Sequence, residues 1–164
     1  MTPVALRVKG TADYGFLKKI SKFNNMIQES AMLQKDVLVV DDDSIANFLI
    51  ERIVQSTGLA RNISKALNGR EALEVIKSRH EDPGSFPDVI LLDLNMPLMN
   101  GFEFIKAYRE LEIDGTDEVL IILVTSSNDP SDIQRAKDLG IKYYLTKPLS
   151  ADAIKGIFRT EFQN

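Results

Sequence analysis

Cysteine is absent from the 164 residues and histidine occurs once, at His80. Without cysteine there is no disulfide framework, no thiolate-bound zinc and no thiol nucleophile. His80 stands among Arg79, Glu81, Asp82 and Pro83, the setting of a solvated helix end, so it is given no role. No apolar run approaches the roughly 20 residues that a membrane-spanning helix needs. The polar, lysine-bearing N-terminus also lacks the apolar core of a signal peptide. A cytoplasmic protein without a membrane partner is the expectation by default.

What is present is a chain sized for one domain and an appendage. Its net charge is −4, and the charge is unevenly spread. Residues 1–34 carry five basic and two acidic side chains, whereas residues 35–164 carry 15 basic and 22 acidic ones. An acidic body argues against a surface that neutralises phosphates, so no nucleic-acid partner is expected. The extension over residues 1–34 is read as helical or disordered. Phe16, Ile20, Phe23 and Ile27 recur there at helical spacing. Met26 and Met32 offer alternative starts, and core packing is the ordinary use of such a stripe.

From residue 36 onward, short apolar runs alternate with amphipathic stretches, the pattern of β-α units feeding a parallel sheet covered on both faces. Strands are expected at residues 37–40, 62–66, 89–92, 119–124 and 141–145, the second of them at an edge. The first helix starts near Ser44 with Ile45, Phe48, Leu49 and Ile53 as its apolar positions, and Gly58 stops it. Ala72, Leu73 and Ile76 mark the second helix, and Phe102, Ile105 and Tyr108 the third. Asp129-Pro130 starts the fourth, which Gly140 ends. Ser150 caps a last helix bearing Ile154, Ile157 and Phe158.

Open parallel sheets bind ligands beyond the carboxyl ends of their strands, so the residues closing each strand form a set. They are Asp41 and Asp42, Asp93, Thr125, and Lys147. Carboxylates gathered at one mouth repel, and a hard divalent cation with oxygen ligands relieves the conflict; Mg²⁺ suits few protein carboxylates plus waters and phosphate oxygens. Such a cation would let Asp93 act as a nucleophile towards a phosphoryl group. Thr125 and Lys147 supply a hydroxyl and a positive charge for its remaining oxygens, and the small Ser126 leaves room.

Val39-Val-Asp-Asp-Asp43, Leu91-Leu-Asp-Leu-Asn-Met-Pro97 with Gly101, Val124-Thr-Ser126 and Tyr144-Leu-Thr-Lys-Pro148 resemble, in order and spacing, the motifs of response-regulator receiver domains. The resemblance covers residues 35–164 and implies a flavodoxin-like doubly wound α/β fold with strand order 2-1-3-4-5. It implies phosphorylation at Asp93, with Mg²⁺ held by Asp42, Asp93 and the backbone carbonyl of Asn95, and by Asp41 through water. It further implies that Thr125 and Lys147 grip the phosphoryl group, that Tyr144 is an aromatic switch coupled to Thr125, and that Lys147-Pro148 is cis. The implied donor is a sensor histidine kinase or histidine phosphotransfer protein. The output is then a reshaped surface on the helix after Asp129, the strand ending near Tyr144 and the helix after Ser150. An unidentified downstream protein would read that surface.

Leu149 departs from the family's common phenylalanine, and Lys142-Tyr143 replaces the acidic pair of winged-helix regulators, which puts their salt-bridged dimer in doubt. A monomer or a weak phosphorylation-dependent dimer is expected. No residues follow Asn164 for an output module, so docking or phosphate relay, rather than enzymatic catalysis, is the expected mode of action. Two other α/β readings fit less well. A haloacid-dehalogenase-type hydrolase needs a second acid where Asn95 stands. A flavodoxin needs a phosphate loop where Asp41-Asp-Asp43 would repel phosphate.

Overall fold

The computed structural model describes residues 14–32, 34–79 and 86–162; His80 lies outside them. The chain divides into two units, Met1–Met32 and Leu33–Asn164. In the first, helix α1 spans Tyr14–Met32. Its side chains Phe16, Leu17, Ile20 and Phe23 are exposed.

The second unit is a sheet of five parallel strands with the order β2-β1-β3-β4-β5. The strands are β1 (Lys35–Val40), β2 (Ala60–Ala66), β3 (Val89–Leu92), β4 (Leu120–Thr125) and β5 (Tyr143–Thr146). The helices between and after them are α2 (Ser44–Thr57), α3 (Gly69–Arg79), α4 (Gly101–Arg109), α5 (Pro130–Asp138) and α6 (Ala151–Phe162). Side chains alternate across a strand, and β1 shows the consequence. Leu38 and Val40 join Ile76, Phe104 and Ile105 on one face, while Val37 and Val39 join Ile50, Val54, Ile154 and Phe158 on the other. β3 lies between β1 and β4 and is buried at every position, so a near-continuous apolar run is what its place requires. The expected fold and the edge position of β2 are both found.

Helix ends follow local chemistry. Asp43 accepts from the Ile45 amide to cap α2, Asp129 accepts from Ser131 to cap α5, and Asn100 with Glu103 forms a reciprocal capping box on α4. Gly58 and Gly140 adopt the left-handed conformation at helix ends, with φ of 71° and 64°.

Several expectations need correction, among them β2, which runs Ala60–Ala66 rather than 62–66, and β4, which runs Leu120–Thr125 rather than 119–124. Ile45, Phe48 and Leu49 of α2 face solvent, and the buried side is Asn47, Ile50 and Val54. Two stripes at helical spacing run along this helix, and the sheet takes only one. β5 begins at Tyr143 rather than at 141, because the amides of Gly140 and Ile141 bond back to the carbonyls of Lys137 and Ala136 to close α5. β1 starts two residues earlier than its apolar run. Asp36, buried in that extension, accepts from Arg61 at 2.6 Å and from Asn62 at 2.7 Å. Burial acts to raise the Asp36 pKa, but these partners outweigh it and hold the carboxyl below its ordinary value.

Candidate functional site

The carboxyl ends of β1, β3, β4 and β5 bring Asp41, Asp42, Asp93, Thr125 and Lys147 to one mouth. Backbone bonds continue the sheet's pairing just past the strands: Asp41 N–H donates to Ala66, Asp93 N–H to Val40, and Lys147 N–H to Thr125. Asp41, Asp93 and Lys147 are therefore set by their neighbour strands, not by free loops. The Lys147-Pro148 bond is cis.

Asp41 and Asp93 are buried and Asp42 is exposed. Lys147 Nζ lies 2.5 Å from Asp41 Oδ2 and 2.9 Å from Asp93 Oδ1. The second oxygens are also engaged: Asp41 Oδ1 accepts from the Asp43 amide at 3.0 Å, and Asp93 Oδ2 accepts from the Asn95 amide at 2.9 Å. Burial pushes the Asp93 carboxyl above its ordinary pKa. Lys147 and the Asn95 amide oppose that shift, and Asp41 adds to it. Burial alone would lower the Lys147 pKa, but hydrogen bonds and charge from Asp41 and Asp93 raise it on balance. That ammonium is a fixed positive charge at neutral pH.

One cation against three carboxylates leaves the mouth net negative. One oxygen from each of Asp41, Asp42 and Asp93 lies within 4.8 Å of the others. An all-oxygen donor set open to solvent at Asp42 fits Mg²⁺, which keeps several waters and uses few protein carboxylates.

Thr125 is fully buried and its hydroxyl accepts from the Ser127 amide at 3.1 Å. Ser126 is exposed beside it. Tyr144, half-buried, does not bond Thr125 directly; its hydroxyl donates to the Ser127 carbonyl at 2.8 Å. Ser127 Oγ donates to Asp132 at 2.7 Å. Ser127 thus joins Thr125, Tyr144 and the first turn of α5. A serine in a loop gives no local sign of this link. Asn47 is a contributor that sequence reasoning missed, since one amide inside a helix has no signature. Its Nδ2 donates to the Asp41 carbonyl at 2.6 Å.

Gly101 has a steric role here. A Cβ at Gly101 would fall 2.6 Å from the Asp93 carbonyl oxygen and 3.0 Å from Leu94 Cα. Both are backbone atoms in the turn after Asp93, so the turn itself must move. Gly101→Ala is expected to cost about 1–3 kcal/mol of stability, read as a lowered urea midpoint at unchanged slope. A midpoint equal to wild type would show that the turn yields freely.

A family model described as the response regulator receiver domain matches residues 37–159. A protein-glutamate methylesterase/protein-glutamine glutaminase of Treponema denticola is 35% identical over 118 residues, 71% of this chain but only 29% of that protein. The chain thus spans less than a third of that relative's length. Sporulation initiation phosphotransferase F of Bacillus subtilis is 27% identical over 124 residues, 76% of this chain and 90% of its own length. Among solved structures, a two component response regulator from Cytophaga hutchinsonii superposes with a TM-score of 0.72 at 30% identity, covering 80% of this chain and 99% of that one. Among the described residues, no helix is long and apolar enough to cross a membrane.

Proposed function

The chain belongs to the response regulator receiver domain family of two-component signal transduction, and from that premise we propose that Asp93 accepts a phosphoryl group from a histidine kinase or a histidine phosphotransfer protein. Residues 35–164 are the receiver domain in this reading, and residues 1–34 an N-terminal extension. The observation that carries it is the placement of Asp93. Its carboxylate is buried against Lys147 on one side and belongs to a cluster of metal-competent carboxylates on the other.

An oxygen of Asp93 forms the new bond to phosphorus as the donor's P–N bond breaks, and the imidazole leaves with that electron pair. Mg²⁺, when bound, would screen the charge between carboxylate and phosphoryl oxygens. Its ligands would be Asp42, Asp93 and the Asn95 carbonyl. Asp41 would contact the ion through water. Lys147 holds a positive charge where the phosphoryl oxygens arrive. The Thr125 hydroxyl, accepting from Ser127, keeps its own proton to donate, and Ser126 leaves space at the rim.

Phosphorylation adds about −1.5 to −2 charges at Asp93. Lys147 and Thr125 are drawn towards that charge, and Thr125 pulls on Ser127, which also holds Tyr144 and Asp132. The surface of α5, β5 and α6 is the output face in this reading, offered to a downstream protein or a further phosphotransfer partner by docking rather than by catalysis. Moving a two-state balance from 1:99 to 99:1 takes about 5.5 kcal/mol. Charge-assisted hydrogen bonds of about 1.5–3 kcal/mol each are of the right size.

Incubation with acetyl phosphate and Mg²⁺ followed by intact-mass measurement tests the reading. A gain of one phosphoryl group is expected, and an unchanged mass would reject it. Tyr144→Phe separates acceptance from switching. It removes the bond to the Ser127 carbonyl, so about 1 kcal/mol of stability should go, with the rate of mass gain preserved. Phosphorylation-dependent amide shifts on α5 and β5 should shrink; full-sized shifts would remove Tyr144 from the switch.

A further inference from the structure

Asn47 occupies the core side of α2, 2% exposed, among apolar residues. Its Nδ2 donates to the Asp41 carbonyl at 2.6 Å. Its Oδ1 is the one buried side-chain polar atom without a hydrogen-bond partner among the described residues. A buried polar atom left unpaired costs about 1–3 kcal/mol, so packing alone gives no reason for an amide at this position. Half of this amide is a liability, and the other half makes a single short bond to the acidic turn.

That turn is the one carrying the metal-competent carboxylates. Asp41 and Asp43 are linked through the Asp41 side chain, and the Asn47 amide N–H bonds back to the Asp43 carbonyl at 2.9 Å. Asp42 lies between them, exposed, with its carboxylate in the cluster. Asn47 therefore grips the turn through two of its own donors, side chain at Asp41 and main chain at Asp43. The side-chain bond is the one that differs from an ordinary helix start.

We propose that Asn47 is a positioning residue for the cation site: by holding the Asp41 carbonyl it fixes the turn that presents Asp41 and Asp42 towards Asp93. This rests on the reading of that carboxylate cluster as a Mg²⁺ site. Losing a group that orients a metal ligand typically lowers affinity about 10- to 100-fold.

The test compares Asn47→Leu with Asn47→Ala in the full chain. Mg²⁺ affinity is read by titration of backbone amide NMR shifts, and stability by urea unfolding without metal. Leucine fills the space and alanine leaves a cavity, so their stabilities should differ, with Asn47→Leu the more stable. If Asn47 positions the turn, both variants lose Mg²⁺ affinity about tenfold or more, independently of that difference. If Asn47 only packs, affinity follows stability and Asn47→Leu binds as wild type does, which overturns the proposal. Asp42→Ala separates the underlying reading. Should it bind Mg²⁺ as tightly as wild type, the cluster is not the metal site, and the proposal falls with it. Wild-type affinity in both Asn47 variants, with affinity lost in Asp42→Ala, overturns the role of Asn47 alone.

Discussion

Asp93→Ala is expected to abolish phosphoryl acceptance: with acetyl phosphate and Mg²⁺, wild type gains one phosphoryl mass and the variant none. The expectation is all-or-none because no other residue supplies the nucleophile from the same place. Asp41 is the more deeply buried of the pair, 1% exposed against 6% for Asp93, and Asp42 stands at the exposed rim. Equal labelling of both proteins would remove Asp93 as the acceptor. Stability should move the other way. The Asp93 carboxyl has its pKa raised on folding, chiefly by burial, so its ionised form is disfavoured in the native state. For such a group the native state binds the proton more tightly, and stability falls as pH rises from the unfolded carboxylate value through the raised one. Urea midpoints of wild type should therefore decline relative to Asp93→Ala across that window. A difference constant with pH would count against the burial argument.

Lys147→Met should have the largest effect on stability. The ammonium is the bonded cation of two buried carboxylates, at 2.5 Å and 2.9 Å. Removing one partner of a buried ion pair costs about 3–5 kcal/mol, because the remaining charge stays desolvated and unpaired. Mg²⁺ should restore more stability to the variant than to wild type, since a second cation then takes over part of the neutralisation. The pH response is also directed. Lys147 is among the causes that lower the Asp93 pKa against burial, so without it that carboxyl rises further. Labelling by acetyl phosphate should fail at a higher pH on acidification than in wild type. In wild type the Lys147 contribution is present below the ordinary lysine pKa and is lost as pH rises through the raised folded value. A variant with wild-type urea midpoints and no added response to Mg²⁺ would overturn this account.

The candidate site was legible in the sequence because strands ending in charged or hydroxyl residues are unusual. An apolar run such as residues 89–92 buries itself, and the carboxylate that follows at Asp93 must then sit at the sheet's edge. The same logic placed Asp41, Thr125 and Lys147. Helix caps were legible too, because Asp43 and Asp129 bond amides two residues away. The face that α2 turns to the sheet was not. Its apolar residues form two stripes, and Ile45, Phe48 and Leu49 have the same spacing logic as Ile50 and Val54. The start of β1 was also hidden, since a buried Asp36 makes sense only once Arg61 and Asn62, 25 and 26 residues later, are beside it.

By itself, then, the sequence determined the alternation of strands and helices, the stops between them, and which residue closes each strand, because apolar period, caps and turn residues act over a few positions. Strand order 2-1-3-4-5 came with the family resemblance rather than from that alternation, and the sheet has it. Only the tertiary structure decided that Lys147, 106 residues from Asp41, is its ion partner. It alone decided that Ser127 links Thr125 to Tyr144 and that Asn47 bonds the Asp41 carbonyl. Those contacts join distant segments, and their energy depends on distance and burial, which no local pattern encodes.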